Sequence, residues 1–158
     1  MKKLNTLCVD AQAEVGASVQ RDLEALGEHV EVINCDSSAE ARAVLQELDN
    51  LGAEIALIIC DQVMPVQNGV DFLIELQQDA KFQNTQTILL TGQATHEDTI
   101  RAINETNITA YINKPWTREF LLETVKKALA RYVFKSDLDY INYLSVIDQE
   151  MLYRQLHS

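Results

Sequence analysis

Positive charge is in short supply in this 158-residue chain: 13 lysines and arginines stand against 24 aspartates and glutamates, for a formal charge of −11. Such a surface repels phosphate backbones, which sets direct nucleic-acid binding aside. Cysteine is scarce and odd in number. Cys8, Cys35 and Cys60 fall at irregular spacing, the first and last inside strand-like runs, which suits reduced, buried thiols and not a disulfide framework. No apolar run is long enough to cross a bilayer, and the apolar part of the N-terminus is too short for a signal peptide. The expectation is a cytoplasmic protein that does not enter a membrane. With five glycines and two prolines, the chain shows no phosphate-binding loop and no dinucleotide glycine pattern, and it lacks GxSxG and HExxH as well. His29, His96 and His157 show no metal-ligand spacing and read as surface residues. There is no internal repeat and no low-complexity segment.

What remains is an ordinary globular composition, 47% hydrophobic and 23% charged, enough for one domain with a core and a short appendage. Apolar runs and helical patterns alternate five times. Strands are expected at Leu4–Val9, His29–Cys35, Ile55–Cys60, Thr87–Thr91 and Ile108–Ile112. Helices follow them. The first carries Val15, Val19, Leu23 and Leu26 up to Gly27; the second opens on Ser37 with Glu40 as a capping box and ends at Gly52. The third runs from about Gly69 to Gln78, the fourth opens at Thr95 with Asp98, and the fifth is capped by Thr117 and presents Phe120, Leu121, Val125, Leu129 and Tyr132. Strict alternation implies a doubly wound α/β fold with a five-stranded parallel sheet, strand order 2-1-3-4-5. Residues 1–133 form that domain. Residues 134–158 break the pattern: Ser136 with Asp139, and Ser145 with Asp148, signal two short helices, too apolar for disorder, which must pack on their own domain, on a second copy or on another domain.

The stretch IALIICDQVMPVQNG, residues 55–69, organises the rest. Its apolar run reads as a central strand buried on both faces, ending abruptly in Asp61, with Met64-Pro65 shaping the loop that follows. Asp10, Asp61, Thr91 and Lys114 each sit at or just past the end of an expected strand, and parallel strands bring all four to one edge. Two adjacent carboxylates repel unless a cation intervenes. Lys114 supplies part of that charge, and a hard divalent cation with oxygen ligands suits the remainder. Carboxylate, hydroxyl, ammonium and metal together match the chemistry of a phosphoryl group, with the carboxylate attacking phosphorus.

VDA at 9–11, IICDQVMPVQNG at 58–69, LLTG at 89–92 and YINKPW at 111–116 resemble the receiver domain of two-component response regulators, over residues 1 to about 133. The resemblance implies a flavodoxin-like fold and a phosphorylation-controlled switch. It makes Asp61 the phosphoacceptor, charged by a histidine kinase or phosphotransfer protein, and Lys114 the residue that holds a phosphoryl oxygen. Thr91 and Tyr111 become the switch pair. Asp10, Asp61 and the backbone carbonyl of Val63 become ligands of Mg²⁺, and Lys114-Pro115 a cis peptide. Val63 and Gln93 would occupy positions that influence the attacking water, and an apolar Val63 implies a long-lived mark. Output would pass through the surface of the fourth helix, fifth strand and fifth helix to a downstream protein or a second copy, as in a homodimer.

One departure stands out. The family carries two adjacent acids after the first strand, and the second position here is Ala11. Affinity for Mg²⁺ should fall, unless Gln12 or Glu14 leans in. The alternative is a pseudo-receiver, a protein-binding module of the same fold that never accepts phosphate. A small phosphatase with Asp61 as nucleophile is the third reading. The expectation is a signalling domain that is not an enzyme beyond its own phosphorylation and dephosphorylation. Trp116 is expected near the start of the fifth helix with an exposed edge.

Overall fold

A computed structural model describes residues 2–92 and 96–158, the side chains of 96, 98 and 99 excepted. Five strands form one parallel sheet in the order β2-β1-β3-β4-β5: β1 (Leu4–Val9), β2 (Val30–Cys35), β3 (Glu54–Cys60), β4 (Gln86–Thr91) and β5 (Ala110–Asn113). Helices α1 (Ala13–Leu23), α2 (Ser38–Asn50), α3 (Gly69–Gln77), α4 (His96–Glu105) and α5 (Arg118–Lys135) connect and follow them, and α6 (Gln149–Leu156) lies in the tail. This is the doubly wound architecture that the alternation implies.

The central strands are apolar without interruption because both of their faces are covered. On β3, Leu57 and Ile59 join the core under α1 and α5, while Ile58 and Cys60 join the core under α2 and α3. The helix starts follow local chemistry. Ser37 Oγ accepts from the Glu40 N–H at 3.1 Å, as its capping spacing implies, and Thr117 Oγ1 accepts from Phe120 N–H. Asn68 caps α3 through the Asp71 N–H at 2.9 Å. The expected Thr95 cap lies outside the described residues.

Two boundaries differ for identifiable reasons. Strand β5 begins at Ala110 and not at Ile108, because Thr109 turns its hydroxyl to the Gln86 side chain at 2.8 Å before the ladder starts. In the tail, Ser136 does not open a helix. Its N–H bonds to the Tyr132 carbonyl at 2.9 Å and closes α5, which runs on to Lys135. The caps are the aspartates: Asp139 accepts from Ile141 N–H above a short turn, and Asp148, not Ser145, accepts from Met151 N–H to start α6.

The tail packs on its own domain. Tyr143, Val146, Ile147 and Leu152 are buried in the core layer that holds α1 and α5. The Tyr143 hydroxyl donates to the Lys2 carbonyl at 2.7 Å, and its ring meets His29 edge-on, with centroids 6.4 Å apart. His29 is therefore half-buried and not a surface residue; His157 is exposed, and the His96 side chain lies outside the described residues. All three cysteines are buried free thiols. No helix among the described residues is long and apolar enough to cross a membrane.

Candidate functional site

Parallel register builds the site. Val9 pairs with Cys60, so Asp10 and Asp61 leave adjacent strands side by side, and the Asp61 N–H donates to the Val9 carbonyl at 2.9 Å. Thr91 ends β4 fully buried, and Lys114 follows β5 with its N–H 3.4 Å from the Thr91 carbonyl. The Lys114-Pro115 peptide is cis.

The four polar residues converge. Lys114 Nζ lies 2.7 Å from Asp10 Oδ2 and 3.5 Å from Asp61 Oδ2, and the two carboxylate side chains are only 3% and 9% exposed. The remaining oxygens are held by the main chain: Asp10 Oδ1 accepts from Gln12 N–H and Asp61 Oδ1 from Gln62 N–H, both at 2.8 Å. Lysine contacts Asp10 within hydrogen-bond distance and Asp61 beyond it, which leaves Asp61 the less tightly engaged carboxylate. Beside them opens a cleft of about 390 Å³ lined by Gln12, Asp61, Val63, Thr91, Gly92 and Lys114. Tyr111 is half-buried, its hydroxyl 3.4 Å from the Thr91 carbonyl. Gln93 lies outside the described residues.

The environment keeps nearby thiols neutral. Burial, reinforced by Asp10, pushes Cys8 up to about 12; burial and then Asp61 push Cys60 well above its ordinary value. Trp116 is half-buried, and its indole N–H reaches Asp22 Oδ2 at 2.8 Å, tying the approach to α5 onto α1.

Two residues, the Gly69 of the sequence motif and Gln62, which sequence reasoning did not single out, shape the loop after β3. A Cβ on Gly69 would stand 2.1 Å from the Asp61 carbonyl oxygen, so only glycine lets the chain pass there. Gln62, 4% exposed, accepts the Val70 N–H on its side-chain oxygen at 2.9 Å and the Gly69 N–H on its carbonyl at 2.9 Å. The glycine at the helix start was a usable signal; nothing in the sequence marks Gln62 as buried.

The donors fit a small hard cation in reduced form. Asp10, Asp61 and the Val63 carbonyl are oxygen ligands of the type such an ion takes, while Ala11 contributes none. Among the described residues no three histidine, cysteine or acidic side chains converge on one point. Gln12 lines the cleft and Glu14 does not.

Residues 6–126 match the response regulator receiver domain. The chain belongs to that family. Among its relatives, the hydrogenase transcriptional regulatory protein HoxA of Cupriavidus necator is 32% identical over 87% of this chain and 26% of its own length. The response regulator Rre1 of Synechocystis is 32% identical over 85% of this chain and 55% of its own length. The receiver thus spans about a quarter to a half of these curated relatives. Among solved structures, the signal receiver domain of an HD domain-containing protein from Pseudomonas fluorescens superposes with a TM-score of 0.75 at 25% identity, covering 87% of this chain and 94% of that one. A CheY-like receiver domain protein from Methanospirillum hungatei gives 0.72 at 25% identity, covering 85% of this chain and 99% of that one. Receiver domains belong to two-component signalling, generally bind Mg²⁺ at the acidic pocket, and interact with histidine kinases or phosphotransfer proteins.

Proposed function

We propose that this receiver is a phosphoaspartate switch in the cytoplasm, charged at Asp61 by a histidine kinase or phosphotransfer protein. The observation that carries this reading is the placement of Lys114 between two buried carboxylates at the mouth of an open cleft. An Asp61 carboxylate oxygen forms the new P–O bond as the donor's P–N bond breaks, and the P–N electron pair stays on the imidazole ring. Lys114 turns from the carboxylates to the incoming phosphoryl oxygens, and Thr91 donates its hydroxyl to another. Mg²⁺, when bound through Asp10, Asp61 and the Val63 carbonyl, offsets charge on the phosphoryl group. With Ala11 in place of the second acid it binds weakly.

Once phosphate holds Thr91, Tyr111 moves into the space behind it and the packing of α4, β5 and α5 shifts. Ile100, Ile103 and Phe120 are 44%, 64% and 50% exposed there, an apolar surface for a downstream protein or a second copy. The chain turns over no separate substrate. Incubation with acetyl phosphate and Mg²⁺ followed by intact mass measurement tests the reading: one phosphoryl group on the wild type and none on Asp61→Asn supports it. A wild type left unmodified by acetyl phosphate and by its cognate kinase refutes it.

Ala11 favours a second reading, in which the receiver binds its partner regardless of phosphate. If Asp61→Asn binds partners and signals in cells as the wild type does, this second reading holds.

A further inference from the structure

Residues 62–70 (QVMPVQNGV) carry no charge in a chain that is 23% charged. This loop joins β3 to α3, and its middle is unusual. The Gln67 N–H donates to the Pro65 carbonyl at 2.8 Å across Val66, whose φ is +70°. That is a three-residue turn of the rare, strained hand, and a β-branched residue is poorly suited to it. Asparagine or glycine would occupy this position with less strain. Val66 recovers nothing by burial, since its side chain is fully exposed.

The loop around Val66 is firmly held. Met64 is buried beneath it, and Gly69 and Val70 bond to Gln62. Gln67 bonds to Arg42 of α2 and, at 3.2 Å, to Glu75 of α3. A rigid, uncharged loop therefore displays an apolar side chain at a cost to the free protein. Three residues earlier Val63, 51% exposed, lines the cleft beside Asp61. Any protein that delivers a phosphoryl group to Asp61 must come up against this rim.

We propose that the Val63–Val66 loop is a docking surface for the histidine-phosphorylated donor protein, with Val66 seated in an apolar recess beside the phosphohistidine. This rests on Asp61 being the phosphoacceptor. The docking contributes to catalytic efficiency with a protein donor and nothing to labelling by a small one. The contact with the donor offsets the strain that Val66 imposes on the free protein.

The test compares wild type, Val66→Asn and Val66→Ile. One donor is phosphoramidate; the other is the purified, autophosphorylated histidine kinase that transfers fastest to the wild type in a panel from the same genome. Val66→Asn should melt about 2–4 °C higher as strain is relieved, and phosphoramidate should label it within about twofold of wild type. Its kcat/KM for transfer from the kinase should fall roughly tenfold, the scale of losing one apolar anchor. Val66→Ile should transfer like the wild type. The proposal is overturned if Val66→Asn takes phosphate from the kinase at the wild-type rate, if both donors slow equally, if the substitution changes the oligomeric state instead, or if no kinase transfers to a wild type that phosphoramidate labels. A wild type inert to phosphoramidate as well would sink the phosphoacceptor reading itself.

Discussion

Lys114→Met removes the cation that, among the described residues, stands between Asp10 and Asp61. At an effective dielectric near 20, contacts of 2.7 and 3.5 Å correspond to attractions of about 6 and about 5 kcal/mol before desolvation. Burying three charged groups cancels most of that, and breaking a buried ion pair from one side typically costs about 3–5 kcal/mol. The Lys114 side chain is 19% exposed, so the low end applies: a loss of about 3 kcal/mol in urea unfolding at neutral pH. Asp10→Asn alone relieves carboxylate repulsion while weakening the lysine contact, and should cost about 1 kcal/mol. The double variant should then resemble Asp10→Asn, leaving a coupling energy of about 3 kcal/mol that changes little with salt because the pair is buried. A coupling below about 0.5 kcal/mol, or one that salt abolishes, would mean that the ammonium lies in solvent and that the site is not assembled as described.

Other outcomes follow from the same geometry. Gly69→Ala forces a Cβ onto the Asp61 carbonyl and should cost about 3 kcal/mol in urea unfolding, with slower acetyl phosphate labelling, since the loop that aims Asp61 must move; an unchanged midpoint would contradict the close approach. Ala11→Asp restores the missing acid and should tighten Mg²⁺ at least about tenfold in calorimetric titration; equal affinity would show that Gln12 already compensates. Cys8 and Cys35, both pushed up to about 12 by burial first, stay protonated in the folded protein while the unfolded chain ionises near pH 8.5. Their contribution is fully present below that pH and is lost as pH rises toward 12, about 1.4 kcal/mol per unit for each thiol. The urea midpoint should accordingly fall between pH 8 and pH 10, and iodoacetamide at pH 8 should label the cysteines only after denaturation.

Much of this molecule is legible in its sequence because burial on two faces leaves little choice. A run such as Ile55–Cys60 has few places to go other than the middle of a covered sheet, and strand ends then place Asp10, Asp61, Thr91 and Lys114 together. Finer features depend on where one oxygen points. Asp139 and Asp148 cap where Ser136 and Ser145 offered the same spacing; Ser136 falls at the end of α5, where its N–H closes the helix on the Tyr132 carbonyl. Gln62 is polar and buried because an amide eight residues on, in the first turn of α3, needs an acceptor, a need invisible until the loop is closed. The tail's apolar residues demanded cover; that Tyr143 finds it beside His29 and Lys2 depends on three-dimensional shape alone.

Which atom takes the phosphoryl group decides whether Asp61 is the switch. Labelling with acetyl phosphate, reducing the acyl phosphate with borohydride and sequencing the peptides by mass spectrometry reads that atom directly. Homoserine at position 61, and at no other aspartate, is the predicted result; homoserine at Asp10, or none at 61 in a labelled protein, would contradict it.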